Sequence, residues 1–203
     1  MGRLQDITLG NLGVLEFTFD LCRKVADIEG DFCEAGVAYG GQLVNMHLAD
    51  PIRKVYAFDS FLGIAQHNEK DIEFTTSYGA GNGNPRESNG ITAISLEICK
   101  NNITQLGCSL DNFVFVWGWF IDTLPKLTDE KFSIVRLDCD IYESYVTCLE
   151  HLYPRLSVGG YLIIDDWHLS GCKTALFEYF GNDKYREFVV DEFLGNAYLL
   201  KNE

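Results

Sequence analysis

The chain has no CxxC pair, no basic cluster, no long apolar run and no G-x-G-x-x-G fingerprint. Each absence closes off a class of protein. The seven cysteines, at 22, 33, 99, 108, 139, 148 and 172, are odd in number and fall mostly in apolar segments, so they read as reduced, buried thiols of a reducing, cytoplasmic compartment. With 16 Lys and Arg against 30 Asp and Glu, the formal charge of −14 repels phosphate backbones and anionic lipid surfaces, which argues against nucleic acid and membrane as partners. The longest strongly apolar run, Phe113 to Ile121, is far shorter than the ~20 residues of a spanning helix. The opening MGRLQDITLG lacks the basic-then-apolar order of a secretion signal, and Asp6 stands where a myristoylation signal needs Ser or Thr. A soluble protein is expected.

What is present fits one α/β core. At 203 residues, 47% hydrophobic and 13% aromatic, the chain supports a single domain over 1–203 and is too short for two. The three-to-four-residue spacing of Leu12, Leu15, Phe19, Cys22, Val25 and Ala26 predicts a helix over 12–29, within an N-terminal helical segment 1–29. Strands are predicted at 32–37, 54–58, 112–116, 132–137 and 159–164, and helices at 42–49, 91–106, 141–153 and 172–180. Two last strands, 187–190 and 197–200, are joined by a turn near Gly195. Residues 64–90, rich in Asn, Gly, Glu and Ser, read as a long loop with sparse regular structure, the usual form of a lid. Alternating strands and helices, several strands being apolar on both faces, imply a mostly parallel, seven-stranded, Rossmann-like sheet covered on both sides, with an antiparallel C-terminal edge.

In such sheets ligands sit beyond the carboxyl ends of the strands. Those ends carry Gly36, Asp59, Asp138, Asp165 and Asp166. The turn Glu34-Ala-Gly-Val-Ala-Tyr-Gly-Gly41 lets backbone approach a ligand closely, and Asp59 is placed to accept hydrogen bonds from ribose hydroxyls. A nicotinamide-dependent oxidoreductase fits poorly, because the glycines at 36, 40 and 41 have the wrong spacing and Glu34 would repel a pyrophosphate. S-adenosylmethionine, with its sulfonium and ammonium, suits an acidic turn. Asp138, Asp165 and Asp166 can converge on one hard cation, Mg²⁺ or Mn²⁺, whose charge would relieve their repulsion; capping of turns without a metal is the alternative.

Five blocks in order carry a family resemblance: GDFCEAGVAYGG at 30–41, VYAFDSF at 55–61, GWFIDTLP at 118–125, RLDCDIYES at 136–144 and LYPRLSVGGYLIIDD at 152–166. Together they resemble the macrocin O-methyltransferase family, class I enzymes that methylate sugar hydroxyls on macrolide and aminocoumarin antibiotics. The resemblance implies metal ligation by Asp138, Asp165 and Asp166. It also implies cofactor contacts from Glu34, Gly36, Tyr39, Gly40, Gly41, Asp59, Ser60, Phe61, Gly118, Trp119 and Asp138. The acceptor would be the hydroxyl of a small molecule, a sugar or glycosylated natural product, and a homo-oligomer is compatible with the family. Asp140 is the candidate base, with His168 as the alternative; Trp119, Trp167 and His168 are candidates for the acceptor pocket. Asp140 also precedes helix 141–153 with Glu143 three residues on, the spacing of a capping box, so a purely structural role competes. A methyltransferase-fold module that binds cofactor or metal without catalysis is the rival function.

Overall fold

A computed structural model describes residues 2–9 and 12–203. Met1, Gly10 and Asn11, with the parts of the expected 1–29 segment that fall on them, lie outside the described residues. Seven runs rich in β-branched and aromatic residues form one sheet: β1 (Asp31–Ala35), β2 (Val55–Asp59), β3 (Phe113–Trp117), β4 (Phe132–Leu137), β5 (Leu156–Ile164), β6 (Val189–Asp191) and β7 (Asn196–Leu200). Their order is β3-β2-β1-β4-β5-β7-β6. Strands β1 to β5 pair in parallel, and β7 runs antiparallel to both neighbours. The chain winds outward from β1 through β2 to β3 and then returns to place β4 on the other side of β1. The crevice of an open sheet lies at this reversal.

Eight helices accompany the strands among the described residues: α1 (Gly2–Gln5), α2 (Leu12–Lys24), α3 (Gly41–Ala49), α4 (Ile72–Tyr78), α5 (Leu96–Gln105), α6 (Phe120–Thr123), α7 (Tyr142–Leu152) and α8 (Ser170–Tyr185). Alternation along the strands divides the core in two. Phe32, Val55, Ala57, Ile134 and Ile163 pack with Leu15, Leu43 and Ile103 of α2, α3 and α5, while Cys33, Ala35, Val135, Leu137 and Leu162 pack with Leu149 and Leu176 of α7 and α8. The sheet is therefore buried on both faces, and all six residues of β4 are buried, including a charged one, Arg136.

The elements differ from the sequence reading mainly at their ends and in one helix. Helix α2 stops at Lys24 rather than 29, where the Arg53 guanidinium donates to the carbonyls of Val25 and Ala26. Helix α5 begins at Leu96 rather than 91, because Ser95 caps it by accepting from the Ile98 amide. Strand β5 begins at Leu156, ahead of the expected 159, and α8 spans 170–185 with a break at Gly181 (φ 71°). Segment 64–90 contains α4, which the polar sequence concealed, and an antiparallel bridge between Ala65 and Ser88. No described helix is long and apolar enough to cross a membrane.

Candidate active site

A cavity of about 510 Å³ opens at the carboxyl ends of β1, β2, β4 and β5. At one end it is floored by the β1–α3 turn. Gly36 (φ 88°), Ala38 (φ 46°) and Gly40 (φ 86°) take left-handed conformations there, and the amides of Val37 and Ala38 donate to the Asp59 carboxylate at 2.7 and 3.3 Å. The other Asp59 oxygen accepts from the Phe61 amide at 2.6 Å. Asp59 thus braces the turn across the gap between β1 and β2. Burial raises its pKa, and the three amides work against that rise. Gly36 is required by space as well as by φ, since a Cβ there would lie 1.7 Å from the Asp138 carbonyl oxygen.

The acidic residues are organised around Arg136. Glu34 on β1 and Arg136 on β4 are register neighbours on the same face. The Arg136 Nη1 donates to Glu34 at 2.5 Å and to Asp138 at 2.9 Å, and its Nη2 donates to Asp165. Burial opposes the charge of Arg136, but Asp165, Asp138 and Glu34 more than restore it. Glu34 is buried and its Oε2 has no partner among the described residues. Burial pushes its carboxyl up to about 8, against the pull of Arg136. A buried carboxyl with one oxygen bonded to arginine and the other bonded to nothing still lacks compensation, which a second cation at the cavity would supply.

Asp138, Asp165 and Asp166 bring one carboxylate oxygen each to within 4.8 Å of the others. Adjacent strand residues would face opposite ways, but β5 ends at Ile164, which frees Asp165 and Asp166 to turn to the same side. One oxygen of each is held by the protein. Asp138 Oδ2 accepts from Arg136; Asp165 Oδ1 accepts from Arg136 and, at 2.7 Å, from the Asn196 amide; Asp166 Oδ2 accepts from the Tyr145 hydroxyl and the Asp140 amide, both at 2.9 Å. Among the described residues no hydrogen bond reaches the other oxygen of any of the three. Burial, and then the charge of Asp165, drives Asp138 well above the usual carboxylate range, and burial raises Asp166 to about 6. Such a cluster is incomplete as an all-protein arrangement and fits a hard divalent cation.

Asp140 sits in the same cavity with φ 62°, and the Ile141 amide donates across it to the Cys139 carbonyl at 2.7 Å, the bond of a γ-turn. It does not cap the following helix. Tyr142, the first residue of α7, donates its amide instead to Asp71 of the 64–90 segment at 2.7 Å. Burial, then the charges of Asp166 and Asp165, raises the Asp140 carboxyl well above its usual range.

Of the other residues singled out in the sequence, Tyr39, Gly41, Ser60, Trp119 and His168 line the cavity, His168 as an exposed side chain at its rim. Gly40, Phe61 and Gly118 do not. Gly40 faces Cys99 and Ile103 of α5, Phe61 is buried in the core, and Gly118 (φ 142°) donates its amide to the Asp59 carbonyl. Trp167 packs on Tyr185 and Phe188, so it belongs to the core. Sequence reasoning passed over Arg136, Tyr145, Asn196 and Asp71. Arg136 carried a signal, for an arginine inside a strand buried on both faces must meet carboxylates. The partners of the other three are set only by the fold.

The comparisons with known proteins agree with this geometry. The chain is 36% identical over 163 residues to 8-demethyl-8-(2,3-dimethoxy-alpha-L-rhamnosyl)-tetracenomycin-C 4'-O-methyltransferase of Streptomyces olivaceus, covering 76% of this chain and 59% of that protein. It is 34% identical over 159 residues to demethyldecarbamoylnovobiocin O-methyltransferase of Streptomyces niveus, covering 75% and 59%. The chain therefore spans about three fifths of the length of these relatives. The solved structure of the O-methyltransferase NovP superposes with a TM-score of 0.81 at 29% identity, over 97% of this chain and 83% of that one. The profile of the Macrocin-O-methyltransferase (TylF) family matches residues 19–191, and the chain belongs to that family.

Proposed function

We propose that this chain is an S-adenosylmethionine-dependent O-methyltransferase that acts, with a divalent cation, on a hydroxyl of a sugar or glycosylated natural product. The observation that carries the reading is the pairing, in one cavity, of an acidic glycine turn with three converging aspartates that each keep an unbonded oxygen. The names of the relatives support the acceptor class, since they describe methyl transfer to a rhamnosylated tetracenomycin and to a novobiocin precursor.

Asp138, Asp165 and Asp166 would hold the cation, and Glu34, the Gly36 turn and Asp59 would hold the cofactor. Bound there, the cation supplies Lewis acidity that lowers the pKa of an acceptor hydroxyl, and S-adenosylmethionine supplies the methyl group. The chain's own residues do the rest. Asp140 offers a carboxylate, free of helix capping, that receives the hydroxyl proton. Trp119, Phe120, Phe74 and Tyr78 line the cavity and would limit water and orient an acceptor face. The alignment so achieved lowers the barrier by removing orientational freedom before the reaction begins.

The test is a titration with S-adenosylhomocysteine, followed by a screen of glycoside acceptors with Mg²⁺, in which mass spectrometry reads the added methyl group. Micromolar binding and methylation of at least one glycoside hydroxyl are expected. No binding of S-adenosylhomocysteine would overturn the assignment.

A further inference from the structure

Among the described residues, Arg136 is the only buried Lys or Arg. It is 1% exposed and lies on the central strand β4. Through two nitrogens it reaches carboxylates on three different segments: Glu34 at the cofactor end of the cavity, and Asp138 and Asp165 at the metal end. The same Nη1 serves Glu34 and Asp138, so one rigid planar group fixes the angle between the two halves of the site. Its Nε has no partner among the described residues, so its hydrogen bonds run through the two Nη nitrogens, all to carboxylates. A buried ion-pair cluster of this kind is weak as a source of stability, because desolvation offsets most of the attraction. Its value lies in orientation.

We propose that Arg136 is a positioning residue of this site: its guanidinium fork holds one oxygen of Glu34, Asp138 and Asp165 so that the remaining oxygens are presented together, to the amino-acid end of the cofactor and to the divalent cation. The inference rests on the function proposed above and adds to it a residue that acts through the carboxylates it holds. Lysine preserves the charge but has no fork, so Arg136→Lys separates orientation from electrostatics.

The experiment measures Mn²⁺ affinity by paramagnetic resonance, and the affinities of S-adenosylhomocysteine and methylthioadenosine by calorimetry, in wild type and Arg136→Lys. Methylthioadenosine shares the nucleoside and lacks the ammonium. Mn²⁺ affinity is expected to fall ~10–100-fold, the usual effect of losing a residue that orients metal ligands. S-adenosylhomocysteine should weaken by ~10-fold or more, with methylthioadenosine within about 2-fold of wild type. General loosening of the fold would weaken both nucleosides alike, and that result overturns the proposal, as does wild-type Mn²⁺ affinity in the variant. If Arg136→Lys does not fold, the double variant Arg136→Met/Glu34→Met removes the fork together with its most buried partner without changing net charge, leaving Asp138 and Asp165 to the cation. Its Mn²⁺ affinity should still fall ~10-fold, and an unchanged value refutes orientation by Arg136. If wild type binds S-adenosylhomocysteine but not Mn²⁺, the metal reading fails by itself and the nucleoside pair alone decides the role of Arg136.

Discussion

The sharpest stability prediction concerns Asp71, a residue of the 64–90 segment that does the work of an N-cap for a helix 71 residues away. Its carboxylate accepts from the Tyr142 amide at 2.7 Å, at the first turn of α7, and from the Asn68 amide at 3.0 Å. Asp71→Ala removes both acceptors and leaves two amides without partners. Hydrogen bonds to a charged group contribute ~1.5–3 kcal/mol each, but burial raises the Asp71 pKa and so marks a desolvation cost that takes back part of the gain. A net loss of ~2–4 kcal/mol is expected, or roughly 5–12 °C in Tm for a chain of this length. Gly171 tests the same contact from the other side, since a Cβ there would lie 1.9 Å from the Asp71 oxygen and 3.0 Å from the Tyr142 nitrogen. Gly171→Ala should therefore cost ~1–3 kcal/mol in wild type and ~1 kcal/mol less when Asp71 is already alanine. Urea unfolding of the two single variants and the double variant closes the cycle. A loss below ~0.5 kcal/mol for Asp71→Ala, or additive losses, would show that the carboxylate does not bear on the helix start in this way.

Asp140→Asn should melt within about 2 °C of wild type, because asparagine tolerates the left-handed conformation, yet lower kcat by ~10²–10⁴; a stable variant with normal turnover at saturating Mg²⁺ would pass the proton-accepting role to His168 as the next residue to test. Chelation with EDTA should abolish turnover, with Mg²⁺ or Mn²⁺ restoring it better than a thiophilic ion, since the ligands proposed are all oxygens; full activity in EDTA sinks the metal reading. Asp59→Ala should weaken S-adenosylhomocysteine binding by ~1.5–3 kcal/mol as the turn loses its brace, and calorimetry showing unchanged affinity would count against it.

The sheet was legible because each central strand is an apolar run bounded by turn residues, a pattern that survives without tertiary information. The aspartates were legible because they stand where strands stop. Helix α4 was not, since of Ile72–Tyr78 only Phe74 is buried and the segment reads as polar loop. It is fixed by contacts distant in sequence: the Ile72 amide donates to Ser170, whose hydroxyl donates to the Lys70 carbonyl and to Glu73. Local propensity cannot report such bonds. The capping-box spacing of Asp140 and Glu143, the competing structural role, is not used: Ile141 stands at the N-cap position, and the amide of Tyr142, the first residue of the helix, is given to Asp71.

That exchange of partners leaves the Asp140 carboxylate unclaimed by the helix start, as the proton-accepting role proposed for it requires. Three successive amides each have a different acceptor: Asp140 gives its own to Asp166, Ile141 to the Cys139 carbonyl, and Tyr142 to Asp71. A left-handed aspartate in a γ-turn costs ~1–3 kcal/mol and persists only where its surroundings over-determine it. Here they do, because Ile141 is fully buried on one side of the turn and Tyr145, also fully buried, ties α7 to Asp166 on the other. With these three amides committed elsewhere, no hydrogen bond among the described residues reaches the Asp140 carboxylate. The strain is thus matched to an outcome that an ordinary helix start would forbid, because an aspartate in relaxed N-cap geometry would turn its oxygens back onto the helix amides and away from the cavity.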